Sequence, residues 1–473
     1  MINNSECFIN GVNKAAIADF FKECKKIKAD VHRLEIIENG EIKAKIAPRP
    51  YSLEDKQQLY SLSKSFTSTA IGFLVDEGKV SVEDYMIDIF ADRIDGEPCD
   101  NMKKVQLKHV LSMNTGHKEC ILHLIKHSDD PAKEWFKTNV EFEPGTHFTY
   151  NNSATYMLSE VVRKYTGMSV FDYLSKKLFK PLGITGVKWD AFACGNSQGA
   201  VGLHAGIDDI AKLGLLYLNK GVWNGQRILS ENWVNMASSV HSDNSENGTP
   251  DWTAGYGFQF WNNAGEGFRG DGAWGQLCMV YPERNMIIAV QAYVEAMQQE
   301  IDAVNRLCDN IHSADDISET ELVSLLDGFN PICGYSEPNT DVFGDVYGCN
   351  ANSMGITRLY FENNDECVSA VFSNGEEWQK INFGKGEFTI NNIHLPYFKP
   401  MIDALMLPEK DENIKTACCC TFADNAIKAT VRYIDNPHIQ TMIFEFSGDF
   451  SEVKMYKYTA ENEKKVLLEG KKD

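Results

Sequence analysis

A serine and a lysine three residues apart lead into an apolar segment, and this stretch constrains the fold and the chemistry most strongly. The pair is Ser61 and Lys64, and small or apolar residues dominate from 66 to 74. Residues three apart share one helical face, so the Lys64 amine can reach the Ser61 hydroxyl. A serine needs a proton acceptor to attack an acyl carbon, and burial lowers the pKa of a lysine towards that task. The stretch predicts a nucleophile and its partner at the mouth of a buried helix.

The same spacing occurs a second time, at Ser451 and Lys454, so the spacing alone carries little weight. The second pair lies in a charged, strand-like stretch and follows a Gly-Asp turn signal. Only Ser61 opens an apolar helix, and only Ser61 therefore has the setting that nucleophilic catalysis requires.

The net charge and the lack of long apolar runs limit the classes of partner. A formal charge of −21 over 473 residues argues against nucleic acid and against anionic membrane surfaces, since both attract basic patches. No apolar stretch approaches the roughly 20 residues of a membrane helix, and no secretory signal pattern precedes the first helix. Thirteen cysteines without paired spacing favour reduced thiols over a disulfide framework or a metal site. We expect a cytoplasmic protein without metal or cofactor.

The length favours two domains, and the patterning changes near residue 313. Residues 1–312 mix helical and strand patterns, 313–340 form an acidic, proline-containing linker, and 341–473 alternate in short segments typical of a β-sandwich or barrel. Helical patterns cover 12–28, 61–76, 104–113, 154–165, 171–179, 207–219, 231–237 and 296–312. Strand patterns cover a hairpin at 32–44, then 256–261, 276–281, 286–293, 357–361, 367–372, 388–390, 426–433 and 441–446.

A tyrosine and an asparagine two residues apart are candidates for the other proton-transfer groups. Tyr150 and Asn152 follow a Pro-Gly turn, and in an extended segment they project to the same side. A tyrosine beside an ammonium group can have a lowered pKa and act as a base. The same spacing at Tyr217 and Asn219 falls inside an apolar helix, where the two side chains diverge.

The glycine-rich run at 270–275 is the third candidate element. Gly270, Gly272 and Gly275 lie within six residues and flank Asp271, just before a strand. Such glycines indicate that the backbone comes close to something, either a substrate carbonyl or a tight strand entry.

Ser197 is a competing candidate because residues 195–199 fit the Gly-x-Ser-x-Gly pattern. That motif requires a strand before the serine and a long helix directly after it. Here Gly202 and Gly206 follow before any helix, so Ser197 is disfavoured as the nucleophile.

In this order, the three elements resemble those of the serine β-lactamase and penicillin-binding-protein family, specifically the class C-like hydrolases and esterases. The resemblance spans roughly 31–292 and includes the short segments 60–68, 111–117, 144–152 and 181–184. It implies that Ser61 is the acylated nucleophile and Lys64 its proton partner, that Tyr150 is the general base, and that Asn152 holds the substrate amide and the lysine.

The third family motif, Lys-Thr-Gly or His-x-Gly, falls on residues 270–272, with the oxyanion amide at Ala273. The resemblance thus assigns Asp271, Gly272 and Ala273 to substrate binding. The cationic first residue is absent here, which puts lactam hydrolysis in doubt. Arg269 could replace the charge, but adjacent strand residues point to opposite faces.

The resemblance implies an α+β fold, with an antiparallel sheet flanked by helices and a helical lobe, followed here by the β-rich C-terminal domain. We expect a serine hydrolase that acts on a small ester or amide through an acyl-enzyme. The alternative is a ligand-binding or sensor-like protein on the same fold that does not turn over. The C-terminal domain is expected to carry no chemistry, and its two candidate roles are to shape the site or to mediate self-association into a homo-oligomer.

Overall fold

The computed structural model describes residues 4–313, 316–330, 332–334, 336, 339–394, 413–423, 425–458 and 464–473. The chain forms two compact units. The larger unit comprises Cys7–Ile46 and Gln58–Ser318, and the smaller unit comprises Met1–Glu6, Ala47–Gln57 and Glu319–Asp473. The sequence gives no signal that 47–57 belong with the C-terminal part. The predicted domain limits at 312 and 341 stay a prediction. Limited proteolysis tests them, with cleavage expected between 330 and 340. Parts of that linker lie outside the described residues.

Twelve helices belong to the described part of the larger unit. They are α1 (Lys14–Lys26), α2 (Ser63–Asp76), α3 (Met86–Ile89), α4 (Leu107–Leu111), α5 (Leu122–Ile125), α6 (Pro131–Trp135), α7 (Asn152–Thr166), α8 (Val170–Leu174), α9 (Lys180–Leu182), α10 (Ile207–Leu218), α11 (Glu231–Ser238) and α12 (Met297–Asn310). A π-helical turn at Ser175–Phe179 joins α8 to α9.

An antiparallel sheet of seven strands runs through the larger unit, in the order β1-β3-β2-β12-β11-β10-β9. Its strands are β1 (Glu6–Ile9), β2 (Asp30–Glu38), β3 (Glu41–Ala47), β9 (Trp261–Asn262), β10 (Phe268–Gly272), β11 (Gln276–Tyr281) and β12 (Met286–Tyr293). Short ribbons use β4 (Gln57–Gln58), β5 (Lys188–Trp189), β6 (Leu203–Ala205), β7 (Val222–Trp223) and β8 (Gln226–Arg227).

Helices cover both faces of this sheet. The side chains of β11 and β12 are therefore buried on both sides, which explains their nearly continuous apolar sequences. Gly214 of α10 lies against Cys278 and Ile287, where an added Cβ would come within 2.8 Å of the Cys278 sulfur. Cys308 of α12 contacts Met286, which points to the opposite face from its neighbour Ile287. The α+β fold class expected from the sequence is therefore confirmed.

Helix α2 is buried along nearly its whole length, from Ser63 to Leu74, and packs against α7. A helix buried all round must satisfy its polar side chains internally. Accordingly, Thr67 donates to the carbonyl of Gly199 and Ser68 donates to that of Phe258. These bonds fix the helix that carries Lys64.

The strand predicted at 256–261 is wrong. Only Trp261 belongs to a strand, while Gln259 has a left-handed backbone with φ of 65°. The carbonyls of Phe258 and Gln259 accept hydrogen bonds from Ser68 and Ser65 of α2 instead of pairing in a ladder. Alternating aromatic residues thus line an irregular segment that wraps the buried helix.

The smaller unit is a β-barrel, which confirms the β-rich C-terminal domain. After α13 (Glu319–Asp327), its strands are β13 (Val346–Cys349), β14 (Arg358–Asn363), β15 (Cys367–Ser373), β16 (Trp378–Lys385), β17 (Thr389–His394), β18 (Asn413–Ala423), β19 (Ala426–Tyr433), β20 (Ile439–Phe446), β21 (Glu452–Tyr458) and β22 (Lys464–Lys472). The order is β16-β15-β14-β13-β22-β21-β20-β19-β18-β17, and a parallel pairing of β16 with β18 closes the sheet. Closure leaves few strand edges unpaired.

Three further findings concern the described residues. All thirteen cysteines are free thiols. No helix within the described ranges has the length and apolar character to cross a membrane. Among those same residues, no group of three or more His, Cys, Asp or Glu side chains is arranged to hold a metal ion.

Candidate active site

Ser61 lies in a single 3₁₀ turn, Tyr60–Leu62, that runs directly into α2 at Ser63. The sequence predicted that the helix begins at Ser61 itself, whereas α2 begins two residues later, at Ser63. Tyr60 has a left-handed backbone with φ of 47°, which is uncommon for a residue with a side chain. Its ring packs edge-on against Trp274, with centroids 4.8 Å apart. This packing holds the strained turn that presents the serine.

The Lys64 amine is the centre of the site. Its Nζ atom donates to the Ser61 hydroxyl (3.0 Å), to the Asn152 amide oxygen (2.7 Å) and to the Ala200 carbonyl (2.9 Å). The residue is 1% exposed, and this burial lowers the pKa of Lys64 to about 7, against smaller opposing effects of Cys120 and Asp271. A large part of the lysine population is therefore neutral at neutral pH and able to accept a proton.

The loop that contains Ser197 contributes to this site, but through its backbone. Ser197 is buried, and its hydroxyl accepts a hydrogen bond from the backbone N–H of Phe171. Three residues later, the carbonyl of Ala200 holds Lys64. Gly199 is required between them, since a Cβ there would lie 2.0 Å from the Ser159 hydroxyl. The motif-like segment is thus a support for the lysine.

Tyr150 lies beside both members of the pair. Lys64 Nζ is 4.8 Å from the centre of its ring, and the Tyr150 hydroxyl hydrogen-bonds with Ser61. The ring stacks on Trp261, with centroids 5.5 Å apart and planes 22° apart. Burial raises the pKa of Tyr150, although the hydrogen bond with Ser61 acts in the opposite direction. The expected lowering of this pKa was wrong, because burial outweighs the hydrogen bond with Ser61 and the charge of Arg269.

Asn152 is the first residue of α7, and its side chain reaches Lys64 because Asn151 caps the helix. The Asn151 side chain accepts from the backbone N–H of Ser153. Met113, which has φ of 59°, holds the preceding segment: its carbonyl accepts from Thr149 N–H and its sulfur from Asn151 N–H. The loop that presents Tyr150 is therefore anchored to the end of α4.

The glycines of the third motif face the start of α2. A Cβ at Gly270 would lie 3.1 Å from the Ser65 hydroxyl, and one at Gly272 would lie 2.1 Å from the Leu59 carbonyl. Strand β9 pairs only with Phe268 and Arg269 of β10, so the edge of β10 is open from Gly270 onwards. The close backbone approach predicted from these glycines is a contact of β10 with the segment around Ser61.

Asp271 forms a buried ion pair with Arg269, on the same face of β10. Arg269 Nε donates to Asp271 Oδ2 at 2.8 Å, and the arginine side chain is fully buried. The remaining guanidinium nitrogens donate to the Asp251 carbonyl (2.9 Å) and the Asn263 side chain (3.1 Å). Burial raises the pKa of Asp271, while Arg269 acts in the opposite direction. Arg269 is therefore fully engaged and does not replace the missing cation of the motif.

Ala273 begins the turn between β10 and β11, in which Trp274 (φ 60°) and Gly275 (φ 89°) are left-handed. Gly275 lies against Glu300 of α12, whose carboxylate oxygens would be 2.6 and 2.7 Å from an added Cβ. Glu300 is fully buried, and its two oxygens accept no hydrogen bond from the described residues. Burial, with the charge of Asp271, raises the pKa of Glu300 to about 8.

Gln259 joins three helices at the site, and sequence reasoning did not find it. Its carbonyl accepts from Ser65 of α2, its side-chain oxygen accepts from Thr155 of α7, and its side-chain nitrogen donates to Leu111 at the end of α4. A buried glutamine in an aromatic run is a weak sequence signal for a site residue. The left-handed backbone that directs its side chain can be predicted only where the residue is glycine or asparagine. The structure thus brings Ser61, Tyr150 and Asn152 together around the Lys64 amine.

Comparison with known proteins gives relatives with hydrolase names. The 6-aminohexanoate-dimer hydrolase of Paenarthrobacter ureafaciens is 25% identical over 218 residues, which cover 42% of this chain and 55% of that protein. A D-aminopeptidase of Brucella anthropi is 25% identical over 141 residues, which cover 28% of this chain and 26% of that protein. The chain thus spans about half, or less, of the length of these curated relatives.

Solved structures extend the likeness in fold to nearly the whole chain. The octameric penicillin-binding protein homologue from Pyrococcus abyssi has a TM-score of 0.51 at 16% identity, covering 96% of this chain and 99% of that one. At this identity the likeness concerns the fold alone. A family model described as Beta-lactamase matches residues 29–296, more than half of the sequence, and this range includes Ser61, Lys64, Tyr150 and Asn152. The resemblance expected from the motifs is confirmed, and the chain belongs to the Beta-lactamase family.

Proposed function

We propose that this chain is a serine hydrolase that cleaves small esters or amides through an acyl-enzyme on Ser61. The observation that carries the proposal is the buried Lys64 amine, 3.0 Å from the Ser61 hydroxyl, with its pKa lowered to about 7. A nucleophile and a base within hydrogen-bond reach, with the base itself oriented by further groups, is the arrangement that activates a serine.

In acylation, neutral Lys64 takes the Ser61 proton while the serine oxygen attacks the substrate carbonyl carbon. The developing oxyanion is placed between the backbone N–H groups of Ser61 and Ala273, on the open part of the β10 edge. The Asn152 oxygen and the Ala200 carbonyl hold the lysine in place and stabilise its charged form once the proton arrives.

Tyr150 then passes a proton to the leaving group. Its raised pKa keeps the phenol protonated, so it can give its proton to the leaving oxygen or nitrogen while it receives one from the charged Lys64. Deacylation reverses the sequence: Lys64 removes a proton from water, the hydroxide attacks the ester carbonyl, and Ser61 recovers its proton. We therefore assign the base to Lys64 and the shuttle to Tyr150.

The names of the curated relatives, a 6-aminohexanoate-dimer hydrolase and a D-aminopeptidase, support small amide substrates. The site carries no cation at Gly270, and Arg269 is buried and engaged elsewhere. A carboxylate-bearing lactam finds no positive partner on this strand, and we propose that lactam hydrolysis is weak or absent.

Labelling with a fluorophosphonate followed by peptide mass spectrometry tests the assignment. The label is expected on Ser61 and is expected to disappear in Ser61→Ala but to persist in Ser197→Ala, the matched control. Label on Ser197, or label that survives in Ser61→Ala, would contradict it. A panel of p-nitrophenyl esters, D-amino-acid amides and a cephalosporin then ranks the substrates.

The altered third motif favours one rival, a sensor-like protein that acylates but does not turn over. Asp271 stands at the middle position of the Lys-Thr-Gly or His-x-Gly motif, and the cation that precedes this position in the family is Gly270 here. Slow, stoichiometric acylation of Ser61 without product release would support this rival. Steady turnover that is lost in Lys64→Ala would exclude it.

Self-association and a cytoplasmic location belong to the same proposal. The relative from Pyrococcus abyssi is described as octameric. Light scattering coupled to size-exclusion chromatography measures whether this chain forms a homo-oligomer, and a single species at 53.2 kDa would contradict it. Fractionation of cells that express the chain tests the location.

A further inference from the structure

Asp271 lies near Tyr150 and has one carboxylate oxygen that accepts a hydrogen bond and one that is available to a ligand. Asp271 Oδ2 accepts from Arg269 Nε at 2.8 Å. Oδ1 accepts no hydrogen bond from the described residues, and it is not among their fully buried unpaired atoms. The Asp271 side chain is 6% exposed. Oδ1 therefore keeps access to solvent while the other oxygen is fixed.

This carboxylate lies on the face of β10 that also carries Arg269, and the strand partner of Arg269 is Trp261, the ring on which Tyr150 stacks. Its charge raises the pKa of both Lys64 and Tyr150, and it lies two residues before Ala273 on the strand with the open edge. Tyr256, which packs against the Tyr150 ring with centroids 6.3 Å apart, is subject to the same charge. A ligand bound against the Tyr150 ring therefore meets the face of β10 that carries Asp271.

Arg269 orients this carboxylate without offering a charge to the ligand. Its guanidinium is covered by Trp252 and Trp261, at 4.8 and 5.7 Å from the ring centres, and its other nitrogens are hydrogen-bonded to the Asp251 and Asn263 region. Because the arginine is fully buried, only the aspartate half of the pair reaches the pocket. The pair therefore presents a fixed anionic acceptor to a ligand.

Resting on the function proposed above, we propose that Asp271 binds a protonated amine of the substrate, so that the enzyme prefers ammonium-bearing esters or amides. A lone acceptor oxygen on a preoriented carboxylate favours an N–H donor with positive charge over a neutral group, and repels a carboxylate. An ammonium group there also favours the neutral form of the neighbouring Lys64, which is the form that accepts the Ser61 proton.

The test uses matched p-nitrophenyl esters of one chain length that end in an ammonium, an acetamide or a carboxylate. A second series of aryl esters places the same groups on the leaving side. In one of the two series, kcat/KM of the wild-type protein for the ammonium ester is expected to exceed that for the carboxylate ester by at least about tenfold. In Asp271→Asn this ratio is expected to fall about tenfold or more, and in Asp271→Glu it should fall less.

Asn263→Ala is the matched control, because Asn263 contacts Arg269 from the other side and leaves the pocket charge unchanged. Its substrate ratio is expected to equal that of the wild type. Unchanged ratios in Asp271→Asn, in both series, would overturn the proposal and leave Asp271 as a structural partner of Arg269.

Two further measurements keep the outcome decisive. Neutral fluorophosphonate labelling of Ser61 shows whether Asp271→Asn is folded. If that variant does not fold, the wild-type protein is assayed with the neutral ester in the presence of butylammonium or of butyrate. Stronger inhibition by butylammonium supports the proposal, and equal inhibition overturns it. Failure of the proposed function is distinct, since the wild-type protein would then neither label at Ser61 nor hydrolyse the neutral ester.

Discussion

Two Ser-x-x-Lys sequences in this chain have different surroundings, and each lies in its own unit. In the larger unit, Ser61 and Lys64 contact each other at 3.0 Å, and the lysine is buried. In the smaller unit, Ser451 donates to Asp449 at 2.7 Å, while Lys454 pairs with Glu469 at 2.8 Å and is about half exposed. The spacing is identical, but only one pair interacts internally.

Burial, rather than residue spacing, therefore distinguishes the Ser-x-x-Lys pair of the candidate active site from the second pair. Burial lowers the pKa of Lys64 to about 7, whereas the hydrogen bond to Glu469 raises the pKa of Lys454. A lysine with a raised pKa stays charged at neutral pH and accepts no proton. In the turn at Ser451, the serine hydroxyl is hydrogen-bonded to Asp449 instead of to Lys454. The four predictions below test this contrast.

The largest effect is expected from removal of the nucleophile. Ser61→Ala should reduce kcat for an activated ester to the background rate, a loss of up to about 10⁶-fold, because no other group can be acylated. Ser451→Ala, with the same chemical change at the second sequence, should keep wild-type kcat. A steady-state assay of both variants measures the contrast, and a large loss in Ser451→Ala would break it.

The next effect concerns the two proton-transfer groups. Lys64→Ala and Tyr150→Phe should each lower kcat by about 10²- to 10⁴-fold, which is the usual contribution of general acid–base catalysis. The double variant should lose far less than the product of the two, because the groups act on one proton path. Multiplicative losses would contradict that path, and Lys454→Ala provides the unaffected control.

The pH dependence follows from the Lys64 pKa of about 7. Only the neutral amine accepts the Ser61 proton, so the acylation rate should rise with pH, by about tenfold between pH 6 and 8, and level off above. Glu300, with a pKa raised to about 8, titrates near this window. Glu300→Gln is therefore measured in parallel and should keep the rise near pH 7. A flat profile from pH 6 to 8 in both proteins would show that Lys64 is not the base.

The smallest effect is expected at Asn152, which positions the lysine without exchanging a proton. Asn152→Ala removes the 2.7 Å hydrogen bond from Lys64, while the bond to Ala200 remains. A loss of about 10- to 100-fold in kcat/KM is expected, the magnitude of one hydrogen bond to a charged group. A loss as large as that of Lys64→Ala would place Asn152 in the proton path.

Local patterns predicted much of the fold, because local spacing encodes periodicity and turns. Helix α2, the β2–β3 hairpin and the barrel strands β19 and β20 followed from 3.6- or 2-residue periods and from an Asn-Gly turn. The pairing of Ser61 with Lys64 was predictable for the same reason, since both residues lie within one turn.

Contacts between distant segments were not predictable. The Ala200 carbonyl lies 136 residues from Lys64, and the Gln259 carbonyl lies 194 residues from Ser65. The raised pKa of Tyr150 depends on how deeply the ring is enclosed, which no sequence period reports. The pairing of Asp271 with Arg269 was also missed, although residues two apart on a strand share a face.

Gly270 restricts which side chains the first position of the third motif can carry. A Cβ there would lie 3.1 Å from the Ser65 hydroxyl and 3.3 Å from Leu62, and Ser65 is itself held by the carbonyl of Gln259. A substitution that restores the family's cation therefore disturbs the junction of α2 before any gain in anion binding. Any side chain at 270 requires Ser65 or Leu62 to shift by a few tenths of an ångström, so a return of the cation is coupled to the residues around the Ser61 turn.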